Sequence, residues 1–209
     1  MAERFVQVKW NFFERITCLA LDEDWPEACQ ELERVGIDGV WRFRPLEIDN
    51  KLILGPHQSF NGSTRQMLLD FYAEEKETCL ILEADCVFKE LDHLEKALSE
   101  LPIDWDLVYL GGNVREPAPE RISEHLFRVR DCWTTHAIGY RRKVIPFLLE
   151  NQPGFSDEMY DCWMSRQLPN LNAYIVSPMV AWQKPHYSGI WNRFVHYDDI
   201  FAESQRRLA

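Results

Sequence analysis

The 209-residue sequence predicts a single α/β domain, residues 1–209, built as a mostly parallel sheet flanked by helices. Three observations predict it. Short apolar runs of strand length alternate with stretches of helical period, the order that builds strand–helix–strand units. Several runs are apolar at every position rather than at alternate ones, as in strands covered on both faces. A chain of this length buries about 70% of its surface on folding, enough for one core. No repeat, low-complexity stretch or composition break marks a linker.

The elements follow in order. Residues 16–21 are apolar and read as a buried strand. Asp24 opens a helix, with Pro26 in its first turn and Glu27 placed for a capping box. Ala28, Leu32 and Val35 share a face of that helix, and Gly36 ends it. Residues 40–43 suggest a second strand, and 55–62 (GPHQSFNG) read as a loop. Residues 63–75 carry Met67, Leu68, Phe71 and Tyr72 at helical spacing. TCLIL at 78–82 is a buried strand that runs into Glu83-Ala84-Asp85. Leu91, Leu94, Leu98 and Leu101 lie on one helical face, before Pro102. LVYL at 107–110 is a strand ending at Gly111-Gly112, and 113–124 read as a mobile loop. Strands at 126–130 and 135–140, helices at 141–150 and 159–168, and a strand at 173–176 complete the pattern.

Composition excludes several classes. Apolar residues make up 46% and charged residues 27%, which is globular rather than disordered or fibrous. The net charge of −11 argues against nucleic acid or anionic lipid as the main partner. An anionic small ligand would need a metal or a local basic cluster. No apolar run approaches the roughly 20 residues of a transmembrane helix, and MAERFVQVKWNFFER lacks a signal-peptide apolar region. The six cysteines show no CxxC spacing, so reduced thiols and a cytoplasmic location are expected.

The strongest chemical feature is the acidic pair after the 78–82 strand. On an extended backbone residues i and i+2 point to one side, so Glu83 and Asp85 aim at a common point beyond a strand's carboxyl end. Ligands of open α/β sheets bind there. Two hard oxygen donors suit Mg²⁺ or Mn²⁺, which would reconcile an acidic chain with a diphosphate ligand. Taken alone, the same spacing also closes strands and caps helices.

The order of motifs adds to this. CLALD at 18–22, the helix from 63 running into LILEADCVF, and IDWDLVYLGG at 103–112 come first. THAIGYRRKVIPFLL at 135–149, Asp161 and QKPHYSGI at 183–190 follow. Together they resemble the glycosyltransferases of family 25, the lipopolysaccharide-biosynthesis and procollagen-galactosyltransferase type, and related GT-A enzymes. That family's acidic motif carries a further aspartate where this chain has Ala84, while Asp85 is kept.

The resemblance implies a GT-A-like fold and a metal-dependent, inverting transfer of a sugar from a nucleotide-sugar donor to a glycan or other hydroxyl acceptor. It implies that Leu21 and Asp22 contact the nucleoside, and that Asp85, with Glu83, holds Mn²⁺ or Mg²⁺. Glu83 and Ala84 would border the donor. Inversion needs a general base, for which Asp161 comes first and Asp157 second. On one helix these two would share a face. His186 is a further candidate metal ligand, and Lys184 and Arg65 are candidate diphosphate contacts, with Arg141 or Arg142 as others. Ser59 would line the donor site. Asp106 orients an acceptor or caps a turn. Gly111-Gly112 permits close backbone approach, and Trp133, Trp182 and Trp191 are candidate sugar-stacking residues. Two competitors remain: a non-catalytic nucleotide-sugar or glycan-binding relative, which Ala84 favours, and a metal-dependent hydrolase, which the lack of a dense His/Asp cluster disfavours.

Overall fold

The computed structural model describes residues 10–46, 55–152, 154, 156–188 and 193–209. The strands are β1 (Arg15–Leu19), β2 (Trp41–Phe43), β3 (Thr78–Glu83), β4 (Cys86–Phe88), β5 (Leu107–Tyr109), β6 (Asn113–Val114) and β7 (Glu120–Arg121). They continue with β8 (Leu126–Arg128), β9 (Cys132–Trp133), β10 (Ala137–Arg141), β11 (Ala173–Val176), β12 (Ala181–Gln183), β13 (His186–Ser188) and β14 (Arg193–Val195). The helices are α1 (Trp25–Arg34), α2 (Pro56–Ala73), α3 (Leu94–Ser99), α4 (Ile145–Asn151), α5 (Tyr160–Gln167) and α6 (Asp198–Arg207).

Eight strands form one sheet in the order β2-β1-β3-β10-β5-β11-β8-β7. The pairings β1–β2, β1–β3 and β5–β11 are parallel, whereas β10 and β8 run against their neighbours. Six of the eight strands therefore point one way, and the sheet is mostly parallel as expected.

The apolar runs serve two faces at once. From β3, Cys79 and Ile81 join one core with Met67, Leu68 and Phe71 of α2 and Ile145 and Leu148 of α4. Leu80 and Leu82, the alternate residues, join the other with Ala28 and Leu32 of α1 and Leu94 and Leu98 of α3. Helices on both sides leave no polar face, which is why the strands are apolar throughout. Gly139 of β10 shows how tight this is, since a Cβ there would lie 2.6 Å from Phe13 Cε1.

Some local expectations are corrected. Residues 56–62 are not a loop, because α2 begins at Pro56. Gly55 stands extended at the cap position and Pro56 is preset for a first helical turn. Of the residues that suggested a loop, Asn61 and Gly62 are buried in α2, and the adjoining Ser63 and Thr64, also buried, donate to the carbonyls four residues back. Asp24 does precede α1, but its side chain makes no capping bond; Glu27 pairs instead with Lys184 at 2.7 Å. The 113–124 stretch holds two short strands, β6 and β7. The C-terminal helix α6 packs on the core: Phe201 is fully buried, Ser204 Oγ accepts from the Val114 amide, and Gln205 Oε1 accepts from the Met179 amide. All six cysteines are free. Among the described residues, no helix is long and apolar enough to cross a membrane.

Candidate functional site

The carboxyl edge of the sheet gathers the acidic pair. The Glu83 amide donates to the His136 carbonyl at 2.9 Å and the Ala84 amide to the Leu19 carbonyl at 3.1 Å. The turn after β3 is thus tied to β1 on one side and to the entrance of β10 on the other. Thr135 Oγ1 donates to Glu83 Oε1 at 2.8 Å. Burial first, and the neighbouring Asp85 second, push the Glu83 carboxyl up from its ordinary value.

Asp85 is held from a distant part of the chain. β12 pairs antiparallel with β4, setting Gln183 opposite Cys86, and the Lys184 amide donates to the Asp85 carbonyl at 3.0 Å. Gly111 lets this ribbon close on the sheet: a Cβ there would fall 1.8 Å from the Ala181 carbonyl oxygen. Gln183 Nε2 donates to Asp85 Oδ2 at 3.0 Å, and His186 Nδ1 stands 3.0 Å from the same oxygen. That hydrogen bond raises the His186 pKa and favours its donating, charged form. Asp85 Oδ1 is buried and has no partner.

A cleft of about 160 Å³ opens beside this pair. Glu83, Gln183 and His186 line one side, and Tyr160 and Asp161 of α5 another. Trp133, Thr134 and Thr135 contribute from the approach to β10, and His57, Phe60 and Asn61 from the start of α2. Tyr197 stacks on His186 with ring centres 5.9 Å apart and also faces the cleft. Asp161 lies in the first turn of α5, where free helix N–H groups favour a carboxylate. Its Oδ1 accepts from the Cys162 amide at 2.8 Å and its Oδ2 from the Thr134 amide at 3.4 Å. Thr134 has φ +67°, a left-handed conformation that a β-branched residue rarely adopts, and its hydroxyl is buried without a partner.

The structure brings together Glu83, Asp85, His186 and, across the cleft, Asp161. Ala84 sits in the same turn and packs on the α1–α3 core. Other expected residues are engaged elsewhere. Lys184 contributes its amide, but its Nζ pairs with Glu27. Asp22 is exposed and ion-paired with Arg42 and with Arg44, the latter at 3.1 Å. Leu21 is exposed beside it. Ser59 Oγ donates to the Leu46 carbonyl at 2.9 Å and Arg65 donates to the Leu149 carbonyl, and neither lines the cleft. Asp157 is exposed, accepts from Gln58 Nε2 at 2.9 Å, and precedes α5 rather than sharing a helical face with Asp161.

Asp106, Arg141 and Arg142 lie at the opposite, amino edge of the sheet; Asp106 pairs with Lys143 at 2.9 Å and accepts from the Asn172 amide at 2.8 Å. Trp133 borders the cleft, with the Arg115 guanidinium 4.2 Å from its ring centre. Trp182 packs between Lys89 and Phe201 instead, and Trp191 lies outside the described residues.

Sequence reasoning passed over Asn61, Thr134, Thr135, Tyr160, Gln183 and Tyr197. Gln183 stood unassigned in the closing motif, and Asn61 was hidden in a stretch that reads as a loop. Among the described residues, the His/Cys/Asp/Glu group with three ligand atoms within 4.8 Å of one another is Glu100, Glu124 and His125, away from this site.

No family model matches the chain, and no curated protein matches it either. Solved structures similar to it are alike in fold at low identity. A197 from STIV is 13% identical, with a TM-score of 0.52 over 87% of this chain and 93% of that one. A UDP-glucose pyrophosphorylase complexed with UDP-glucose is 11% identical, with a TM-score of 0.45 over 93% and 80%. A Drosophila galactosyltransferase in complex with manganese, UDP-Gal and xylobiose is 12% identical, with a TM-score of 0.42 over 87% and 70%. The structures similar to this chain thus include both nucleotidyltransferase-type and glycosyltransferase enzymes, and the fold is the mostly parallel, helix-flanked α/β architecture expected from the sequence.

Proposed function

We propose that the chain is a GT-A-like glycosyltransferase of the family-25 kind, one domain over residues 1–209, moving a sugar from a nucleotide-sugar donor to a hydroxyl acceptor with inversion. One observation carries the reading. Asp85, beyond the carboxyl end of β3, is fixed through one carboxylate oxygen while the other is buried and open, beside a cleft that holds a second carboxylate, Asp161.

The residues fit Mn²⁺ or Mg²⁺: the open Asp85 Oδ1 is an unmet hard donor, and Glu83 supplies further oxygens nearby. When bound, the ion supplies charge neutralisation for a diphosphate leaving group. The remaining roles belong to the chain. Gln183 and His186 hold the Asp85 carboxylate in orientation, with His186 a further candidate ligand. Thr135 holds Glu83. Asp161 accepts the proton of the attacking hydroxyl, its own oxygens steadied by the Thr134 and Cys162 amides. Leu21 and Asp22, exposed after β1, are the candidate nucleoside contacts, and the six free thiols suit a reducing, cytoplasmic setting.

The test is thermal stabilisation by a panel of nucleoside diphosphates and nucleotide sugars, with Mn²⁺ and with chelator. Ligand at a hundredfold excess over its dissociation constant adds about 2.7 kcal/mol of apparent stability. A metal-dependent shift confined to one nucleotide is expected. A folded sample that responds to none of them refutes the donor site. A second reading, a binding protein without turnover, is favoured by Ala84 and by the pairing of Lys184 with Glu27. Release of nucleoside diphosphate from any bound donor eliminates it.

A further inference from the structure

We propose that the cleft beside Glu83 and Asp161 seats a single uncharged sugar ring, held by neutral hydrogen-bonding groups and aromatic faces rather than by charge. The proposal rests on the transferase reading only in placing that ring within reach of Asp161.

Unmet polar atoms are the first argument. Buried side-chain polar atoms are almost always hydrogen-bonded, and clustered exceptions ask for an explanation. Here Asn61 Oδ1, Thr134 Oγ1 and Gln183 Oε1 are all buried without partners, and all three residues line the cleft. Asn61 and Gln183 are nine-tenths or more buried, and their amide nitrogens are already committed. Asn61 Nδ2 donates to the Ser156 and Glu158 carbonyls at 3.0 and 2.8 Å, and Gln183 Nε2 to Asp85. Their free oxygens can only accept. The Thr134 hydroxyl can donate or accept. A ligand rich in hydroxyl groups satisfies such a mixed set.

Charge and shape narrow the class. Among the described residues, no lysine or arginine lines the cleft; the charged His186 is already paired with Asp85, and Glu83 and Asp161 add carboxyl groups, which disfavours an anionic ring. Phe60, Trp133 and Tyr197 offer apolar surface of the kind that the C–H faces of a sugar cover. A volume of about 160 Å³ far exceeds the roughly 10–15 Å³ that a single water needs.

Backbone strain is a separate observation. Thr134 holds φ +67° with a branched Cβ, a conformation that persists where the surroundings enforce it and that clusters at ligand sites. Glycine would adopt it freely. A threonine held in that conformation presents a hydroxyl to the cleft that glycine lacks.

The test uses the full chain in chelator, without nucleotide. Methyl glycosides of glucose, galactose, mannose and N-acetylglucosamine are titrated by saturation-transfer NMR and tryptophan fluorescence, against glucuronate, glucose 6-phosphate and choline. At least one methyl glycoside is expected to saturate, with glucuronate and glucose 6-phosphate at least tenfold weaker. Thr134→Gly is expected to weaken that glycoside about tenfold while Tm stays level or rises, and Thr134→Ser to retain binding. Binding of choline or of either anion at least as tightly as every methyl glycoside overturns the proposal. So does the absence of any glycoside saturation in a sample that still responds to nucleotides. If methyl glycosides bind but no nucleotide shifts Tm, the donor reading falls and the sugar ring stands. Preloading with Mn²⁺ and the nucleotide sugar separates the two sources of the ring: displacement of the glycoside assigns the cleft to the donor's sugar, and simultaneous binding assigns it to the acceptor.

Discussion

The two edges of the central sheet treat their aspartates in opposite ways. At the amino edge, Asp106 has one oxygen on Lys143 and the other on the Asn172 amide, and the Asn172 side chain donates to Asp104 and accepts from Arg128 at 3.0 Å. At the carboxyl edge, Asp85 has one oxygen satisfied twice and the other not at all, and Thr134, Asn61 and Gln183 each keep an unmet atom. Both edges carry aspartates beside strands, and both are acidic in sequence. The difference lies in the two aspartates: both oxygens of Asp106 are met by its neighbours, whereas one oxygen of Asp85 is left for a ligand to meet.

Four changes break or sharpen that contrast. Asp85→Asn keeps the shape and the bond from Gln183 but removes the charge, so metal-dependent turnover and the Mn²⁺-dependent thermal shift are expected to vanish in a protein with unchanged circular dichroism. Retention of either removes Asp85 from the site. Gln183→Ala frees Asp85 without touching its charge, and a loss of about 10–100-fold in Mn²⁺ affinity is expected, read by titration calorimetry. Asp106→Ala strands the Asn172 amide at the amino edge, lowering stability by about 1–3 kcal/mol in urea unfolding with nucleotide and metal binding unchanged.

The last change concerns His136, fully buried beside Phe201, whose pKa burial pushes down to about 4. The folded protein holds it neutral while the unfolded chain protonates it near 6.5, so its contribution is full above that value and falls as pH drops toward 4. Relative to His136→Leu, the wild type is expected to lose on the order of 2 kcal/mol between pH 6.5 and 5, read as the difference between the two pH profiles because the raised Glu83 carboxyl contributes with the opposite sign to both.

Much of this was legible before the structure, for physical reasons. Strands buried on both faces announce themselves by unbroken apolar runs, so β1, β3, β5 and β11 stand out, and the i, i+2 rule places Glu83 and Asp85 at a strand end. The link between Asp85 and His186 was legible only as a shared expectation of metal binding. What joins them is the β4–β12 ribbon, a pairing of two three-residue strands that leaves no periodic trace. The start of α2 was illegible because its inward face uses Asn61, Gly62 and Ser63, residues that favour turns until tertiary partners absorb their polar groups. Asp22, Ser59, Arg65 and Lys184 have the right residue types, but type does not reveal prior engagement, and each is paired with a neighbour that lies far from it in sequence.

The docking of α6 has a consequence for the order in which the site can form. Tyr197 and Phe201 reach the cleft and the buried rings behind it, and Ser204 and Gln205 tie α6 to the segments after β5 and β11. In order of synthesis, α6 follows every other element around the cleft. A chain that stops before Tyr197 holds Glu83, Asp85 and Asp161 but lacks the wall that Tyr197 gives the cleft and the buried ring of Phe201 behind it.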